Sequence, residues 1–181
     1  MNFEEKTVSS NLVFDGKIMK VYTDEVLLPN GKRGYREWIY HRGAVAAVPI
    51  QDGKVFLVRQ YRYAVKKELL EIPAGKLDSD DEDPEWRIKE ELMEEIGMEP
   101  GNLEYLGYIY TSPGFASEKI HLYLATDLKP RKENPDEDEF LDVVIVDLDE
   151  VLKKCLNGEI VDSKTVAGVV RAYARLKGGI P

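Results

Sequence analysis

Cysteine is almost missing from this chain of 181 residues, with Cys155 its single instance. One cysteine closes no intrachain disulfide, so a disulfide framework is excluded. The spacing of Cys155 within an apolar helical stretch marks it as a core residue. Positive charge is also in deficit. Lys and Arg number 25 against 34 Asp and Glu, a net charge of −9. That balance argues against a general nucleic-acid binder. It does not forbid an anionic substrate, because bound cations and local arginines invert the sign inside a site. Long apolar runs are missing too. No stretch approaches the ~20 residues of a membrane span. Glu4, Glu5 and Lys6 interrupt any apolar leader, so the expectation is a cytoplasmic protein with no membrane and no nucleic-acid partner. No internal repeat is visible. What remains is ordinary for a globular chain, with 43% hydrophobic residues. The length suits one compact domain, or one with a small extension, and a sizeable core.

The most informative stretch is residues 83–98, a helix with its start and stop written in. Asp83 suits the N-cap, Pro84 the first helical position and Gly97 the left-handed C-terminal residue. Leu92, Met93 and Ile96 fall on one side. Glu91, Glu94 and Glu95 fall on another, at i, i+3 and i+4. Like charges at that spacing repel by roughly 0.2–0.5 kcal/mol per pair. Acidic helix faces are commonly just solvated, but three converging carboxylates also suit a hard dication such as Mg2+, which prefers oxygen ligands. The approach to the helix is Glu71-Ile72-Pro73-Ala74-Gly75-Lys76-Leu77, an apolar strand ending in Pro-Ala-Gly. It makes a specific strand–loop–helix arrangement.

These residues resemble the Nudix hydrolases, whose signature is G-x5-E-x7-R-E-U-x-E-E-x-G-U, with U a bulky aliphatic residue. Gly75 opens the motif. Glu82, Glu91, Leu92, Glu94, Glu95, Gly97 and Met98 follow in order. Two departures are present. Six residues separate Gly75 from Glu82, not five, and Glu90 stands where the family has Arg. In the family that Arg braces the motif, a role open here to Arg87 or Lys89. The resemblance implies metal ligation by Glu91, Glu95 and the Ala74 carbonyl, with Glu94 assisting catalysis.

Upstream, apolar and polar residues alternate from 7 to 28 around an Asp15-Gly16 turn. Pro29-Asn30-Gly31 is a hairpin turn, and a third strand runs from Gly34 to His41. Residues 1–42 therefore read as a small antiparallel sheet ahead of a main domain, 43–181. In the family branch this chain resembles, such a segment packs against or exchanges with a second protomer, implying a homodimer. Trp38 is either a strand core residue or a base-stacking platform. Ala44 to Ile50 is apolar enough for a strand buried on both faces. Arg59-Gln60-Tyr61-Arg62-Tyr63 is basic and aromatic in an acidic chain. It is either strand-edge charge or, through Arg62, a contact to phosphate or ribose.

Downstream of the motif, strands are expected over Leu103–Thr111, Ile120–Ala125 and 139–146. Helices are expected from Asp147 to Asn157, and from Asp162 or Ser163 to Leu176. His121 reads as structural rather than catalytic. Pro113, in Ser112-Pro113-Gly114-Phe115, lies 15 residues past Met98. Pro-Gly alone is a turn signal, but at this spacing a proline resembles the marker of ADP-ribose pyrophosphatases. In that branch the acidic loop before residue 140 supplies a metal ligand and a general base. The resemblance gives those roles to Glu139 and Glu137, with the reverse assignment open. It further implies substrate contacts at Arg36, Glu37, Arg62, Ser112 and Gly114, with Trp38 for adenine.

The element order suggests an α+β chain. The resemblance sharpens this to a Nudix-type α/β/α sandwich with a mixed sheet. It implies Mg2+-dependent hydrolysis of ADP-ribose, with Mn2+ as a possible substitute and a small nucleotide as the partner. The alternatives are the same chemistry on another nucleoside diphosphate derivative, or a nucleotide-binding module that does not turn over.

Overall fold

A computed structural model describes residues 2–131 and 140–178. The N-terminal part is a three-stranded antiparallel sheet, in the order β1 (Lys6–Asp15), β2 (Lys20–Leu27) and β3 (Arg33–Tyr40). Its second hairpin closes as the Pro-Asn-Gly sequence requires. Gly31 adopts φ 80°, and the Leu28 N–H donates to the Lys32 carbonyl at 2.8 Å.

A mixed sheet follows. It contains β4 (Ala44–Gln51), β5 (Lys54–Arg62), β6 (Lys67–Glu71), β7 (Ala74–Lys76), β8 (Met98–Tyr110), β9 (Lys119–Pro130) and β10 (Leu141–Asp147). The main path runs β10-β5-β4-β9-β8, with β6 on β5 and β7 on β4. β4 and β9 are parallel, and the other pairs are antiparallel. Three helices cover the faces: α1 (Pro84–Ile96), α2 (Leu148–Leu156) and α3 (Ser163–Lys177). β4 explains the layering. Val45 and Ala47 face Ile88, Leu92 and Ile96 of α1. Ala44, Ala46, Val48 and Ile50 face the opposite layer, with Val151 of α2 and Val169 of α3. A strand buried on both faces needs the uninterrupted apolar run that Ala44–Ile50 supplies. The result is the expected α/β/α sandwich.

Three local readings change. The apolar ridge of α1 is Ile88, Leu92 and Ile96, spaced by four, while Met93 is only half-buried. β8 starts at Met98 rather than Leu103, and β9 runs to Pro130 rather than Ala125. Pro100-Gly101 resembles a turn locally. Pairing with β9 overrides it, because Gly101 lets the strand pass within 2.8 Å (for a Cβ at that position) of the Asp127 carbonyl oxygen. Cys155 is buried in α2, as expected, and burial pushes its thiol up to about 11. No described helix is long and apolar enough to cross a membrane.

Candidate active site

The site is built where β7 meets α1. The helix begins and ends as its sequence directs. Asp83 accepts the Glu85 N–H at 3.0 Å, and Gly97 adopts φ 64°. Those two ends fix the helical phase, and the phase turns Glu91 and Glu95 inward. They are only 3% and 4% exposed, which carboxylates tolerate only with strong partners. Glu95 Oε2 accepts the Ala74 N–H at 3.0 Å. Glu91 lies against Gly75 so closely that a Cβ there would fall 1.6 Å from Glu91 Oε1. Glycine is therefore a steric requirement at residue 75, and the Pro-Ala-Gly run is cut to the shape of the two carboxylates.

Arg87 supplies the positive charge. Its guanidinium pairs with Glu91, one turn on, and its Nη1 lies 3.9 Å from Glu94. Burial works against that charge, but Glu91 and Glu94 outweigh it and hold the group protonated above its ordinary range. Arg87 thus takes the bracing role that Glu90 cannot fill, while Lys89 pairs with Glu85 instead. The Arg87 Nε is buried and has no hydrogen-bond partner among the described residues. Among those residues no three Asp, Glu, His or Cys side chains are gathered in a metal-holding group. Glu137 and Glu139, the expected base and ligand, lie outside the described residues. The donor set fits a hard dication nonetheless. It comprises two buried carboxylates one helical turn apart, a third half-buried at Glu94, and the main chain of Ala74 against Glu95.

Arg62 reaches the start of the same segment through Glu71. Its Nε and Nη2 donate to the two oxygens of Glu71, both at 2.7 Å. The Glu71 bonds dominate in holding Arg62 protonated, with further help from Asp162 and Glu95. Glu71 itself is 1% exposed and also pairs with Lys164. Burial pushes its carboxyl up. The Arg62 bonds and the Lys164 charge outweigh burial and leave it below the ordinary carboxylate value.

The other expected contacts lie on a strand and a turn that are bridged through Ile39. Ile39 of β3 donates its N–H to the Phe115 carbonyl at 2.7 Å and accepts from Ser117 at 2.9 Å. That bridge docks the turn at Ser112–Ala116, including Gly114, beside the strand carrying Arg36, Glu37 and Trp38. Trp38 stacks on Tyr22 at 4.8 Å and donates to Asp24 at 2.9 Å. Arg36 is engaged with Glu5, and Glu37 is exposed. His121 meets the Tyr105 hydroxyl at 3.0 Å, and burial, then Lys119, hold its pKa below the ordinary value.

Sequence reading did not single out Glu71, Lys164 or Thr165. One signal was available. Lys164 is the second residue of α3, where a positive charge opposes the helix dipole. A residue placed against local preference has a tertiary reason.

Comparisons with known proteins agree with this geometry. A model of the NUDIX domain matches residues 40–167, and one of the nucleoside diphosphate sugar hydrolase N-terminal domain matches residues 5–39. The chain is 46% identical to the methanol dehydrogenase activator of Bacillus methanolicus, over 92% of this chain and 91% of that one. It is 41% identical to the ADP-ribose pyrophosphatase of Bacillus subtilis strain 168, over 97% and 95%. A crystal structure of an ADP compounds hydrolase superposes with a TM-score of 0.85 at 24% identity, covering 97% of this chain and 95% of that one, which shows the shared fold. With the glycine, the inward glutamates and a domain match over most of its length, this chain belongs to the Nudix family.

Proposed function

We propose that the chain hydrolyses the pyrophosphate of ADP-ribose to AMP and ribose 5-phosphate, with Mg2+ as its dication and Mn2+ as a substitute. The observation that carries this is the packing of Glu91 and Glu95 against Gly75 and Ala74, a cradle with room for no side chain at residue 75. The name of the B. subtilis relative, over nearly the whole chain, supports the substrate. Glu91, Glu95, Glu139 and the Ala74 carbonyl would hold the dication, with Glu94 assisting. When bound, it supplies charge neutralisation for the diphosphate and a more acidic water. The protein's own tasks are binding, orientation and proton transfer. Water adds to one phosphorus, the bridging P–O bond breaks, and the water's proton passes to Glu137, which must come within about 3 Å or act through one more water. Arg62 binds a phosphate with Nη1, since Nε and Nη2 serve Glu71. Arg36, Glu37, Ser112 and Gly114 contact the rest of the substrate, and the adenine stacks at Trp38.

Incubation with ADP-ribose and Mg2+, with and without chelator, tests this directly. AMP that forms only without chelator is the expected result. No AMP with either Mg2+ or Mn2+ overturns the reading. A second reading, hydrolysis of a nucleoside diphosphate sugar, is favoured by the match over residues 5–39. A substrate panel that turns over a sugar nucleotide faster than ADP-ribose would select it.

Residues 1–42 form the homodimer contact in this reading. Every residue of β1 is exposed, including Val8, Leu12, Val13 and Phe14 at 46–57%. These exposed apolar side chains on a strand that pairs on one edge only are what a second copy would cover. Sedimentation equilibrium should give the mass of two chains, and the mass of one chain overturns this assignment.

A further inference from the structure

The cradle depends on the segment 71–75, which links β6 to β7 and is fastened by the start of α3. Each of its residues is held. The Glu71 carboxylate takes Arg62 and Lys164. The Ile72 N–H donates to Thr165 Oγ1 at 2.9 Å. The Pro73 carbonyl accepts from the Ala47 N–H at 3.1 Å. Ala74 binds Glu95, and Gly75 abuts Glu91. The two fastenings from α3 converge on Asp162. Its Oδ2 accepts the Thr165 N–H at 3.0 Å, the Thr165 hydroxyl at 2.6 Å and Lys164 Nζ at 3.1 Å. Thr165 is fully buried and Lys164 nearly so. Gly168, one turn on, leaves a Cβ position only 3.0 Å from the Ile72 side chain. An N-cap alone would need only the Asp162 bond to the Thr165 main chain. The additional bonds all lead to Glu71 and Ile72.

We infer that Lys164 and Thr165 are positioning residues for the cation site: through Glu71 and Ile72 they set the register of residues 71–75, and so the approach of Ala74 and Gly75 to Glu95 and Glu91. This rests on the reading that those glutamates hold the dication. A lost hydroxyl at residue 165 leaves the Ile72 N–H without its partner and lets the segment shift, and a shift there moves Ala74 against Glu95. Support of this kind behind metal ligands commonly changes metal affinity about 10–100-fold.

The test measures Mn2+ binding to the substrate-free protein by electron paramagnetic resonance, beside thermal melting and steady-state kinetics. Thr165→Val, which keeps the shape and removes the hydroxyl, should weaken Mn2+ binding about tenfold or more. It should also lower kcat with little change in KM. Thr165→Ser restores both, because the hydroxyl returns. A merely structural role would lower the melting temperature and leave the Mn2+ affinity of the folded protein unchanged, and that result overturns the inference. If Thr165→Val does not fold, Lys164→Met is read in its place, with the same expectation. Glu95→Gln separates the two layers of argument. Loss of Mn2+ in Glu95→Gln but not in Thr165→Val rejects the positioning role alone. Wild-type affinity in both rejects the cation site and the inference with it.

Discussion

Glu95→Gln is expected to lower kcat about a thousandfold in a protein that remains folded. A cation at a developing phosphoryl charge is worth several kcal/mol of transition-state stabilisation, and each ~1.4 kcal/mol is a factor of ten in rate. Glu95 is well placed to report that loss, because it is buried and its oxygen meets the Ala74 N–H. Glutamine has the same shape, and its amide oxygen still accepts that N–H. The main-chain bond survives while the charge disappears. The measurement is a rate series with ADP-ribose and Mg2+, paired with a circular dichroism melt. Wild-type turnover in a folded Glu95→Gln protein would remove Glu95 from the site. An unfolded variant would leave Glu91→Gln to decide, since Glu91 shares the cradle through its contact with Gly75.

Glu71→Ala should destabilise the fold by about 3–5 kcal/mol, the range for breaking one side of a buried ion pair. Glu71 is 1% exposed, and the side chain of Lys164 is 8% exposed. Removing the carboxylate leaves Lys164 with Asp162 alone and frees Arg62 from its two bonds. Urea unfolding of wild type and variant measures the difference, and a change under 1 kcal/mol would show the network to be dispensable. The same group predicts a direction with pH. The folded Glu71 carboxyl sits below its unfolded value of 4.5. Its ion pair therefore stabilises fully above that value and is lost as pH falls through the depressed folded value. Wild-type stability should drop on acidification below about 4.5 more steeply than that of Glu71→Gln.

The sequence by itself determined a good deal of this protein. The helix over residues 84–96 was legible because its cap and its stop are local properties, set by Asp83 and Gly97, whereas its buried ridge of Ile88, Leu92 and Ile96 emerged only from packing. The doubly buried β4 was legible because a strand covered on both faces cannot carry polar residues. The N-terminal hairpins were written in Asp15-Gly16 and Pro29-Asn30-Gly31, since those residues favour the turn conformations. Spacing on one helix put Glu91, Glu94 and Glu95 on one side, while the roles expected of them came from the resemblance to the Nudix motif.

Tertiary structure decided what those residues touch. Arg87 neutralises Glu91 only because α1 packs with both side chains inward, and one sequence offers Arg87 and Lys89 equally. Gly75 is obligatory because β7 passes the Glu91 carboxylate within less than a side chain's width, a distance no local pattern encodes. The Glu71–Lys164 pair joins residues 93 positions apart. Its partners look locally misplaced, a carboxylate beside the apolar Leu69-Leu70 and Ile72 and a lysine at a helix N-terminus, and only the fold that buries them together makes each one favourable.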